Sequence, residues 1–238
     1  MSDSLFATTR HAYRERGWKE VAVLVMKKCV SPFARVGSLY FFERNLQESM
    51  PPIKPVHGIL VREGTIEDVH LLERTDPEEK HRRQAIDRLL RGDLWFIAIE
   101  ASSGKLANYR WASQSSGFIP ELDLHLVVEP RQAYIYDLET LPEFRRRGIE
   151  AVTRQFTYES LLHKYGVERI ITYIRADNHA SLQAGRQYLT PIGRVWFARR
   201  NSRAHVFRMR RDRMPELTRE MRSRPVQAAL ARSSNSLR

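Results

Sequence analysis

The chain has 238 residues, 42% of them hydrophobic and 29% charged, with a net charge of +12 and one cysteine. That length allows a full apolar core, in one large domain or in one domain with extensions. The lone Cys29 excludes a disulfide framework and a cysteine-rich zinc site, and it suits the reducing cytoplasm, the expected location.

In chain order, residues 4–30 predict a helix, with Trp18, Val21, Ala22 and Val25 spaced as an apolar stripe. The apolar run at 21–26 falls far short of the roughly 20 residues a membrane span requires. Arg10, Arg14 and Arg16 stand where a secretory signal would be apolar. A strand is expected at 36–42, then a linker at 47–56 punctuated by Pro51, Pro52 and Pro55. The main domain therefore starts near His57, giving an N-terminal helical extension and linker (1–56), a central domain (57–210) and a basic tail (211–238).

Within the central domain a strand is expected at 58–62, and Thr65 with Asp68 opens a helix over 65–74 in a capping-box-like arrangement. A second helix runs from Asp76 to about Arg91. Runs at 94–100 and 106–112, joined by a Ser-Ser-Gly-Lys turn, read as a hairpin, and strands follow at 122–128 and 133–140. A helix over 148–164, with Ile149, Val152 and Phe156 on one face, stops at Gly166. A strand at 169–174, a helix at 178–187 and a hairpin of 192–198 with 204–209 complete the pattern, and a further helix is expected near 215–231. This order is that of an α+β or mixed α/β fold.

Residues 132–151 carry the chemistry. A strand runs into Pro142, three arginines (Arg145, Arg146, Arg147) and Gly148, and a helix begins directly after. Free backbone N–H groups and the positive end of the helix dipole then converge where a phosphate can sit.

The segment Leu138-Glu-Thr-Leu-Pro-Glu-Phe-Arg-Arg-Arg-Gly-Ile-Glu-Ala151 resembles the signature of the GNAT superfamily of acyl-CoA-dependent N-acyltransferases. Arg145 falls on its first position and Gly148 on its glycine, whereas Glu150 replaces the family's Gly or Ala and is expected to point outward. Ala176-Asp-Asn-His-Ala-Ser181 is similar to the family's Asn-x-Ala-Ser helix opening, and Pro191-Ile-Gly-Arg-Val-Trp196 to the strand beyond it. Tyr188-Leu-Thr190 stands where a Gly-Phe pair is usual.

The resemblance covers about residues 57–210. It implies a central mixed, mostly antiparallel sheet flanked by helices, and transfer of an acyl group, acetyl above all, from acyl-CoA to a primary amine. The acetyl-CoA co-substrate would be held by backbone at Leu138, Glu139 and Thr140, by Arg145, Arg146, Arg147, Gly148, Ile149, Glu150 and Ala151 around the diphosphate, and by Asn178. Positions matching the family's base are Tyr134 and Tyr136. With an intrinsic pKa of about 10, tyrosine is a poor base, so both rings are expected to line the acceptor pocket. Strict alternation sets Tyr134, Tyr136, Leu138 and Thr140 on one face and Ile135, Asp137 and Glu139 on the other. Glu139, the third catalytic candidate, then reaches the pocket only if a bulge re-aims it. The family's acid tyrosine maps to Gly185 or Ala184, neither of which donates a proton; Tyr188 is the nearest substitute.

The acceptor implied is a small-molecule amine. No histidine pair has metal-ligand spacing, so no metal is expected. Two other functions fit parts of the sequence. One is a catalytically inactive CoA-binding or scaffold module, favoured by Glu150 and the missing acid. The other is a binder of nucleic acid or anionic membrane driven by the tail, where residues 191–238 hold 13 arginines against three acids.

Overall fold

The computed structural model describes residues 35–72, 80–200, 203–209 and 214–219. The predicted helix at 4–30, Cys29 and most of the arginine-rich tail lie outside them. The described residues divide between two compact units.

The larger unit holds the predicted phosphate turn. Its sheet places β2 (Ile59–Glu63), β3 (Leu94–Glu100), β4 (Lys105–Ser113), β7 (Gln132–Thr140) and β8 (Arg169–Arg175) side by side in that order. All neighbours are antiparallel except β7 and β8, which run parallel from Gln132 opposite Arg169. This is the α+β, mostly antiparallel architecture expected from the sequence.

Each face of this sheet has its own cover. On one, a 3₁₀ segment (Ile66–Leu72) and helix α1 (Lys80–Leu90) bring Val69, Leu72 and Ala85 onto Trp95, Ile97, Tyr109 and Trp111. Trp95 and Trp111 are directly opposed across β3 and β4 and stack with centroids 5.2 Å apart. A side chain at Gly64 would collide with the Trp95 ring, so the stack fixes glycine there. On the other face lies helix α2 (Ile149–His163), whose Phe156 meets Phe96 edge-on. The helix buries Ile149, Thr153, Thr157 and Leu161, a stripe displaced from the predicted Val152–Phe156 face. Threonines are tolerated at buried positions because Thr153 and Thr157 return their hydroxyls to the helix's own carbonyls at 2.9 and 2.7 Å.

The predicted helix over 65–74 is the 3₁₀ segment instead. Asp68 is bound by the Thr65 N–H (2.9 Å) and by both Arg62 terminal nitrogens (2.5 and 2.6 Å), which ties the segment to β2. The sequence pattern also misses β5 (Ser116–Ile119), a four-residue strand, and begins β6 (Leu124–Val127) two residues early. β11 (Leu217–Thr218) pairs with β6 where a helix is expected from residue 215.

The smaller unit contains β10 (Arg203–Met209), β9 (Thr190–Arg200) and parts of β1 (Arg35–Asn45) and β8, in that order, with helix α3 (His179–Gly185). Arg194 lies between Tyr40 and Trp196, 4.5 and 3.8 Å from their ring centres, and its Nε donates to Ser38 Oγ. Among the described residues, no helix is long and apolar enough to cross a membrane.

Candidate functional site

The site is built around a break in the pairing of β7. Ser113, Ala112 and Trp111 oppose Tyr134, Ile135 and Tyr136; then Tyr109 opposes Glu139 and Asn108 opposes Thr140. Two steps along β4 thus match three along β7, so β7 carries one extra residue. Asp137 takes it up in the left-handed region, at φ 46°, and its carboxylate pairs with Arg88 of α1. Aspartate tolerates that conformation better than most residues.

The bulge corrects the predicted alternation. Directly opposed residues share a face, so Glu139 joins Tyr134 and Tyr136, while Thr140 moves to the opposite one. All three catalytic candidates are therefore brought to one face. Tyr134 is buried and stacks on Tyr136 at 5.3 Å. The Tyr136 hydroxyl donates to Asp93 at 2.7 Å. Burial, reinforced by the Asp93 charge, pushes its pKa well above the normal tyrosine value. Tyr109 is shifted the same way, chiefly by burial, and donates to Glu139 at 3.2 Å. Both phenols stay protonated at neutral pH, and the half-exposed Glu139 carboxylate lies on the same face.

Sequence reasoning misses Asn108. Fully buried on β4, it donates from Nδ2 to the Glu139 carbonyl and to Thr140 Oγ1, both at 2.8 Å. It thus pins the end of β7 just past the bulge. The signal is there as two polar residues, Asn108 and Arg110, set among the apolar and aromatic residues of 106–112.

Beyond Thr140 the chain turns sharply. Leu141 donates to Ala107 and Phe144 plugs the core from a single 3₁₀ turn (Pro142–Phe144). Arg145 folds back to the Thr140 carbonyl at 3.0 Å, and Arg147 lies over the Phe144 ring and pairs with Glu100. Arg146 and Gly148 both adopt positive φ, 63° and 77°, and α2 starts immediately after with Ile149 buried as its anchor.

These reversals leave a row of unused donors. The first helical bonds are those of Ala151 and Val152 to the Gly148 carbonyl. Among the described residues, the N–H groups of Arg146, Arg147, Gly148, Ile149 and Glu150 meet no protein acceptor. Residues 145–148, three of them arginines, are exposed. Such an arrangement at a helix N-terminus suits an anion with several oxygens, such as a diphosphate.

Glu150, expected to point outward, is one-third exposed, and its carboxylate is held by two arginines. One carboxylate oxygen lies 3.0 Å from Arg110 Nη2 and the other 2.8 Å from Arg154 Nη1. Asn178 belongs to the smaller unit, where its Oδ1 caps α3 by accepting the Ser181 N–H at 3.2 Å. Gly185 is buried in α3, and a side chain there would meet the tip of Ile174 at 2.9 Å from its Cβ. Among the described residues, no three His, Cys, Asp or Glu side chains come together as a metal site.

No protein-family model and no curated protein matches the chain. Solved structures do. A tandem GNAT protein from the clavulanic acid biosynthesis pathway matches 74% of this chain and 57% of its own length, at 15% identity and a TM-score of 0.52. A GCN5-related N-acetyltransferase from Sphaerobacter thermophilus matches 74% of this chain and 54% of its own, at 16% identity and a TM-score of 0.49. The chain thus spans little more than half the length of either protein. This chain shares the fold of the tandem GNAT protein.

Proposed function

We propose that this chain transfers an acyl group, acetyl in the first instance, from acyl-CoA to the amine of a small molecule. The observation that carries this reading is the row of five acceptor-free N–H groups from Arg146 to Glu150 at the start of α2. In a GNAT fold that turn is where a CoA diphosphate is expected, and the Arg145, Arg146 and Arg147 guanidiniums offset its charge. The backbone of Leu138, Glu139 and Thr140, opened by the bulge and held by Asn108, would receive the pantetheine arm and the thioester carbonyl.

In the reaction the amine nitrogen bonds to the thioester carbon and the carbon–sulfur bond breaks. The amine gives up a proton and the leaving thiolate takes one. Glu139 is the proton acceptor in this account, because its carboxylate is half-exposed and shares a face with Tyr134 and Tyr136. Those rings would shape the acceptor side, and protonated Tyr136 can only donate. With Gly185 unable to supply an acid, solvent protonates the thiolate, and rate enhancement rests on positioning and on backbone donors at the carbonyl.

Calorimetric titration with acetyl-CoA, followed by thiol release across a panel of amines, tests the reading. Micromolar binding with amine-dependent thiol release is expected, and Glu139→Gln should lower kcat about 10²-fold without weakening acetyl-CoA binding. Binding without thiol release for any amine would favour a non-catalytic CoA-binding module. Absence of binding would remove the proposal.

A further inference from the structure

We infer that Arg110 is a positioning residue for the diphosphate cradle and acts through Glu150; the inference rests on the acyl-CoA reading above. A carboxylate in the first turn of α2, beside a row of free N–H groups, would ordinarily repel the anion those groups attract. Here its charge is matched. Arg110 Nη2 donates to Glu150 Oε1 at 3.0 Å and to the Glu150 carbonyl at 3.3 Å, while Arg154 Nη1 takes Oε2 at 2.8 Å.

Arg110 has strong reason to hold this contact. It is 2% exposed, and its Nε is buried with no hydrogen-bond partner. A buried guanidinium deprived of its counter-charge is strongly destabilising, so the pair stays closed and clamps the first turn of α2 to β4. Arg110 and Asn108 are two residues apart on one face of β4, opposite Phe96 and Ala98 of β3. Asn108 holds the end of β7 and Arg110 holds the start of α2. One central strand therefore sets the spacing between the two backbone segments proposed to grip the ligand. The arginine–glutamate link takes the place of the close backbone packing that a small residue at position 150 would permit.

The test is calorimetric titration with CoA of the full chain, of Glu150→Ala and of the double variant Arg110→Met/Glu150→Met, with urea unfolding of each alongside. Glu150→Ala should bind CoA at least about tenfold more weakly, because a small misplacement of a positioned group is costly. The double variant, in which apolar side chains replace a buried pair, should keep the parent's urea midpoint and still bind CoA about tenfold more weakly. Loss of affinity at unchanged stability is what a merely structural pair would not produce. Equal or tighter binding by Glu150→Ala overturns the inference, as does parental affinity in a double variant of parental stability. Should the double variant fail to fold, Glu150→Ala alone decides. A parent chain that binds no CoA removes the acyl-CoA reading itself; a parent that binds while the variants bind equally well removes only the inference.

Discussion

Asp68 shows how a single carboxylate can tie a short 3₁₀ segment to the neighbouring strand. The Arg62 hydrogen bonds, more than the Thr65 contacts, lower its pKa from 3.8 to about 2. A carboxylate lowered on folding stabilises the native state above its unfolded pKa and loses that contribution as pH falls through its folded one. Arg62 is partly exposed, which screens the pair, so Asp68→Asn should cost about 1–2 kcal/mol at neutral pH. In urea unfolding the gap between parent and variant should shrink as pH drops from about 4 towards 2. A gap of constant size across that range would mean that the pair contributes nothing as an ion pair. Arg62, Thr65 and Asp68 stand close together in the sequence, and the capping relation of Thr65 to Asp68 is legible there. The bidentate grip of Arg62 is not, because nothing local distinguishes it from any strand-end arginine.

At the scale of elements, alternating apolar runs suffice to reveal the long strands and the strand–turn–helix unit. They cannot reveal the bulge in β7, since one unpaired residue leaves no mark on composition. Asp137, a residue type that accepts left-handed backbone, is the sole local hint. Its consequence is large, for it decides which face Glu139 occupies. β5 escapes notice because Ser-Gly-Phe-Ile is too short to show a period; a side chain at Gly117 would run into Tyr134, so packing sets that residue. The glycine at the start of α2 is legible in the sequence, with a testable cost. Gly148 sits at φ 77°, where an added Cβ meets only Val56 at 3.6 Å, so the penalty for substitution is conformational, not a collision. Gly148→Ala should destabilise the chain by about 1–2 kcal/mol in urea unfolding. It should weaken CoA binding by about tenfold or more, because the neighbouring N–H groups turn away from their common target. Full CoA affinity in a folded Gly148→Ala chain would show that the left-handed turn is not needed for the ligand.

For the whole molecule, element order and fold class are accessible from the sequence, while the linkage that organises the site is not. Asn108 and Arg110 are far along the chain from Thr140 and Glu150, the residues they hold, and only the pairing of β4 with β7 and the seating of α2 bring them together. The central claim concerns five peptide groups, and hydrogen exchange reads them individually. On addition of saturating CoA, the amides of Arg146 through Glu150 should exchange at least about tenfold more slowly, with smaller effects in β2 and β3. Unchanged exchange at those five amides under saturating CoA would contradict the account.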